Sequence, residues 1–283
     1  MHKKRKSFTF EDILKDGDYT ICDSSITSPL EIDWYWGGVY HARNFSQINL
    51  EYVATETHYL ESFLELLSNP KVYVAPSVPS EIRTAREIVA DKMRYLKKEE
   101  KKEIKKRKRG KGNNVNTLQE VHDLFHECFN ATKRVSFSPK RKKDYDILER
   151  IVMNVTEKTG AKIDLDYFYE QRAKPKRVGD SHADEQGVAI ALYLSIFENK
   201  TGSILTGESD MERILENTIS YFYHSKKYDI NKLWGITKQN AIKIFYFPEL
   251  NKAELTFDSR HFPPSQEIPR ETFAGIDNQI VFT

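Results

Sequence analysis

Cysteine is almost missing from this chain, with Cys22 and Cys128 the only two among 283 residues. So sparse a supply excludes a disulfide framework and leads us to expect reduced thiols in the cytoplasm. No apolar run approaches the ~18 residues of a membrane-spanning helix, which argues against membrane insertion. The basic opening MHKKRKSFTF has no apolar core and does not read as a secretory signal. Also lacking are a GxxxxGK[ST] phosphate loop, a GxGxxG dinucleotide loop, a GxSxG elbow and an HExxH zinc helix. His122 and His126 do stand four apart, but the glutamate of a zinc protease helix is missing and Cys128 falls on a different helical face. Hydrophobic content of 39% and charged content of 30% describe a soluble globular chain, long enough for one generous domain.

Charge is present but unevenly placed. Ten Lys or Arg and three Glu crowd residues 97–111, whereas the whole chain carries a net charge of only +2, so the remainder is acidic. With Ile104 its single apolar residue, this tract offers no stripe to pack and reads as a solvated helical insertion. As an arm contacting phosphates it would lose affinity steeply with salt. Trp34, Tyr35, Trp36 and Tyr40, around Gly37 and Gly38, form an aromatic loop that either packs on itself or stacks on unpaired bases.

The remaining pattern alternates short strands with helices. YTIC at residues 19–22 and the run from Val72 to Ala75 predict two buried strands, and Ser203 to Thr206 a third. Helical spacing is expected over residues 50–67, from Ile82 onward, over 117–129, over 146–157 and over 211–222. The apolar block from Val188 to Leu194 predicts a helix buried on most of its surface. Ile242 to Phe247 and Glu254 to Phe257, separated by PELNK, predict a β-hairpin.

Each strand hands over to a helix through an acid. Asp23 follows the first strand, Glu81 lies in the first helical turn after the second, and Glu208 and Asp210 follow the third. Asp184 opens the buried helix. Any one of these could be a helix cap, which contributes roughly 0.5–2 kcal/mol. In a parallel sheet, however, strand ends gather on one edge, where ligands bind. Carboxylates converging there repel one another unless cations neutralise them, and Mg²⁺ or Mn²⁺ does so with hard oxygen ligands while still bridging phosphate. Lys174, Lys176 and Arg177, in the loop leading to Asp184, are expected to guide a phosphodiester backbone or to serve solubility.

Asp23 after YTIC, Glu81 in VAPSVPSE, Asp184 in ADEQGVAIAL and Asp210 closing ILTGESD together resemble the PIN domain, a superfamily of metal-dependent nucleases. The resemblance spans about residues 19–95 and 145–222. It implies an α/β fold, a three-layer α/β/α sandwich around a central, mostly parallel sheet, to which the charged helical insertion and the C-terminal β-hairpin are additions. It further implies that Asp23, Glu81, Asp184 and Asp210 coordinate Mg²⁺ or Mn²⁺, that Thr206 is the polar residue ending its strand, and that single-stranded RNA is hydrolysed. Glu208 stands where the family usually has Asp, so Glu208, Asp210 or both serve as ligand. The expected organisation is a lead-in over 1–18, a nuclease domain over 19–230 with a basic insertion at about 96–140, and a hairpin with tail over 231–283. The competing reading is a catalytically degenerate module that binds RNA or protein. A haloacid-dehalogenase-type phosphatase ranks last, since Ser25 occupies the position of its second Asp. Homo-oligomerisation is left open.

Overall fold

The computed structural model describes residues 7–27, 45–50, 53–105, 113–161, 182–249, 252–262, 268 and 270–276. Six strands form one sheet: β1 (Ser7–Phe8), β2 (Tyr19–Cys22), β3 (Val72–Val74), β4 (Gly202–Thr206), β5 (Ile242–Glu249) and β6 (Lys252–Asp258). Their order is β1-β6-β5-β4-β2-β3. The pairs β2/β3, β2/β4 and β4/β5 are parallel, while β5/β6 and β1/β6 are antiparallel. The fold is therefore α/β with a mostly parallel sheet.

The helices are α1 (Phe10–Lys15), α2 (Val53–Ser68), α3 (Val78–Lys105), α4 (Asn113–Ala131), α5 (Pro139–Thr159), α6 (Ala183–Phe197), α7 (Asp210–His224) and α8 (Tyr228–Gln239). Local chemistry sets several of their ends. Thr9 and Asp12 form a reciprocal capping box at α1. Ser138 caps α5 just before Pro139, and Gly160 closes it in the left-handed region at φ 59°.

Strand alternation divides the apolar residues into two cores. Ile21, Ile204 and Ile244 lie side by side in register and belong to a core built with α5, α6, α7 and α8. Cys22, Leu205 and Phe245, one residue further along each strand, belong to a second core built with α2, α3 and α4. Successive strand residues point to opposite faces, so both faces of the sheet are covered.

Several sequence expectations change in detail. Residues 1–18 were expected as a lead-in or short edge element, and β1 is such an edge, paired with Ala253 and Glu254 of β6. The insertion expected at 96–140 contains α4, whose Leu118, Val121, Phe125 and Cys128 are fully buried, so this helix is part of the core. The expected hairpin is β5/β6, continuous with the main sheet. Helix α8 is an element the sequence pattern does not predict, although its buried Ile230, Leu233 and Thr237 recur at helical spacing. No described helix is long and apolar enough to cross a membrane.

Candidate functional site

Strand order places the candidate acids. Among the four parallel strands, β2 is first in sequence, with the second, β3, on one side and the third, β4, on the other. At such a reversal α/β proteins carry the crevice in which they bind ligands, here the place between the carboxyl ends of β2 and β4. Asp23 follows β2 directly, and Thr206 ends β4 with Gly207, Glu208 and Asp210 just beyond. Backbone pairing continues past the strand, since the Asp23 amide donates to the Leu205 carbonyl at 3.0 Å.

A hydroxyl network joins these ends. Asp23 is 4% exposed and accepts from the Ser25 amide at 3.2 Å and from the Ser25 hydroxyl. The same Ser25 Oγ accepts the Gly207 amide at 2.9 Å and lies 3.3 Å from Thr206 Oγ1. Thr206 Oγ1 in turn accepts the Glu208 amide at 3.1 Å and stands 3.4 Å from Asp23 Oδ2. Gly207 is required by close approach: a Cβ there would sit 2.7 Å from the Ser25 carbonyl oxygen.

Ser24 ties in the third element. Its hydroxyl donates to Glu81 Oε2 at 2.6 Å and lies 3.5 Å from Asp23 Oδ1, so one serine touches two carboxylates 58 positions apart in sequence. Glu81 is there because β3 ends at Val74 and α3 begins at Val78. The start of α6 joins the same edge through Gln186, whose side-chain oxygen accepts the Ser77 amide at 3.0 Å and the Ser77 hydroxyl at 2.7 Å. This bond brings the first turn of α6, with Asp184 buried at 9% exposure, beside the β3–α3 connection. Asp210, 7% exposed, is paired with the Arg213 guanidinium one turn along α7.

Of the predicted residues, then, Asp23, Glu81, Thr206 and the Glu208 backbone share one hydrogen-bond network. Asp184 and Asp210 open helices bordering it. Among the described residues, no group of three or more His, Cys, Asp or Glu is gathered as a ready metal site. The donors lining the network are all oxygens, the class that suits Mg²⁺ or Mn²⁺ rather than a thiolate-seeking metal. Burial, reinforced by the neighbouring Asp23 carboxylate, pushes the Cys22 thiol up, so it stays protonated beneath the crevice. Lys174, Lys176 and Arg177, the aromatic loop at 34–40 and the basic tract beyond Lys105 lie outside the described residues.

Ser24, Ser25, Gln186 and Arg213 escaped the sequence reading. The first two stood directly after Asp23, but Ser25 was weighed only as a missing aspartate. The histidine pair has a different explanation. Arg86 Nε donates to His122 Nε2 at 3.3 Å, and its Nη1 stands 2.8 Å from His126 Nδ1, so a permanent cation occupies the space between the two rings. The arginine links α3 to α4 there. Compared with known proteins, the chain matches no family model, no curated protein and no solved structure.

Proposed function

We propose that this chain is a PIN-like, Mg²⁺- or Mn²⁺-dependent endoribonuclease that hydrolyses phosphodiester bonds of single-stranded RNA. The observation carrying the reading is the Ser24 hydroxyl shared by Asp23 and Glu81 at the crevice between β2 and β4. The finer architecture belongs to the same proposal: a three-layer α/β/α sandwich, for which the two cores on opposite sheet faces speak. Asp23, Glu81 and Asp184 are the principal ligands, with Asp210, Glu208 or both completing the set.

A divalent ion bound there supplies charge neutralisation for the phosphate and acidifies water toward neutral pH. The protein's own part is to hold the ligands. Ser25 fixes one oxygen of Asp23, Ser24 spaces Asp23 from Glu81, and the Gln186–Ser77 bond holds the start of α6 at the edge. Arg213 keeps Asp210 compensated until a cation competes for it. Hydrolysis should leave a 3′-hydroxyl and a 5′-phosphate. The test is incubation of the full chain and its Asp23→Asn and Asp184→Asn variants with unstructured RNA and Mn²⁺. Cleavage by the parent chain alone supports the proposal, and intact RNA beside a working control nuclease sinks it.

The second reading, a degenerate binding module, is favoured by the Asp210–Arg213 pair, which already satisfies one acid without a metal. RNA binding that persists in excess EDTA, is indifferent to Asp184→Asn and is accompanied by no cleavage would decide for it.

A further inference from the structure

The outer face of α8 carries an exposed tyrosine, lysines and one glycine that its packing does not require. Tyr228 is 74% exposed, and it and Tyr223, at 41%, are two of the three large exposed hydrophobic side chains among the described residues. Lys232 Nζ lies 3.9 Å from the Tyr228 ring centroid, covering one face of that ring. Six residues further along, Lys238 Nζ lies 4.7 Å from the ring of Trp234, which packs partly buried against the core and meets Tyr223 edge to face at 5.2 Å. Lys226 and Lys227 join them, against Asp229 as the one acid in residues 223–239.

At 100° per residue, Gly235 falls on the exposed arc between the Tyr228/Lys232 pair and the Trp234/Lys238 pair. A Cβ built on Gly235 meets nothing within 4 Å, and its φ is not positive, so neither packing nor backbone conformation demands glycine. A helix-interior glycine costs about 1 kcal/mol relative to alanine, so an unexplained one points to a surface kept flat. An exposed tyrosine ring with a lysine beside it fits a nucleobase with its phosphates: the base stacks on the ring, and lysines neutralise the backbone.

We infer that the outer face of α8 is a base-stacking platform for single-stranded RNA, separate from the acidic crevice. The choice of RNA rests on the function proposed above. Helix α7 runs from Asp210 at the crevice to Tyr223 at the platform, a span of about 20 Å at 1.5 Å per residue. The platform therefore holds a strand at a distance from the acids, and short oligonucleotides reach only one of the two.

The test is fluorescence anisotropy of a labelled, unstructured 12-nucleotide RNA with the full chain in EDTA, which removes any metal-dependent contribution. Tyr228→Ala and Gly235→Gln are expected to raise Kd at least about fivefold, while Tyr228→Phe stays near the parent value. Lys232→Ala is expected to shallow the slope of log K against log salt by about 0.7. Gly235→Gln should also raise the melting temperature slightly, which separates lost binding from lost folding. Equal binding by parent, Tyr228→Ala and Gly235→Gln overturns the platform, as does absence of RNA binding by the parent or equal affinity for duplex. The two proposals fail separately: cleavage with Mn²⁺ alongside unaltered binding of the variants removes the platform alone. Tyr228-dependent binding without cleavage removes the nuclease alone.

Discussion

Replacing Ser25 by Ala tests whether the Asp23 network is a structural device as well as a candidate site. The hydroxyl makes two bonds at once, donating to Asp23 and accepting the Gly207 amide at 2.9 Å, and Ser25 is 3% exposed. A hydrogen bond to a charged group contributes about 1.5–3 kcal/mol, and a buried amide left without an acceptor costs about 1–3 kcal/mol. The two losses share one atom and do not add in full, so a destabilisation of about 3 kcal/mol is expected. For a chain of this size that corresponds to a fall in Tm of about 6–12 °C. Ser24→Ala is the internal comparison. It removes the donor to Glu81, which is partly exposed and can be rehydrated, so about 1 kcal/mol is expected. Urea unfolding in EDTA, followed by circular dichroism, reads both variants without metal linkage. A Ser25→Ala protein within 0.5 kcal/mol of the parent, or less affected than Ser24→Ala, would refute the reasoning.

Other expectations follow from single contacts. Gly207→Ala forces a methyl to within 2.7 Å of the Ser25 carbonyl oxygen, backbone against backbone, and should cost about 1–3 kcal/mol in thermal unfolding. Cys128, pushed up to about 12 by burial, with the Glu127 charge adding to it, should resist alkylation at pH 8 together with Cys22. Both thiols should react once urea unfolds the chain, and mass spectrometry of native protein showing either labelled would contradict this. Burial pushes the Asp258 carboxyl up, but the hydrogen bonds and charge of Arg260 outweigh it and hold the group below its usual range. A depressed carboxyl stabilises above its unfolded value near 3.9 and loses that contribution as pH falls through the depressed one. Arg260→Ala should therefore lower stability at pH 7 by about 0.5–1 kcal/mol, the partial exposure allowed for, with the difference fading as pH falls below the unfolded carboxyl value.

Much of the sheet was legible because its strands are short, rich in apolar residues and bounded by polar ones. YTIC before Asp23 and SILT before Gly207 could be read directly, and all residues of β2 and β4 are buried. Asp23, Glu81, Asp184 and Asp210 were legible as acids at element ends. How they associate was not, because it is carried by hydrogen bonds that span the sequence: Ser24 to Glu81, Ser77 to Gln186, Gly207 to Ser25. A single sequence displays no long-range pairing, so serines next to Asp23 looked like ordinary turn residues. Helix α8 was hidden for a local reason: only Ile230 and Leu233 of its fully buried positions are apolar, the third being Thr237.

The two ends of the sheet limit how copies of this chain can associate. On one side the outermost strand, β1, is two residues long. On the other, β3 is three residues long, and its Val74 amide is already taken by the Lys133 carbonyl in the connection between α4 and α5. Among the described residues both outermost strands are therefore short, and each gives a second chain few backbone groups to extend. Association of copies through either of these two strands would accordingly gain few backbone hydrogen bonds.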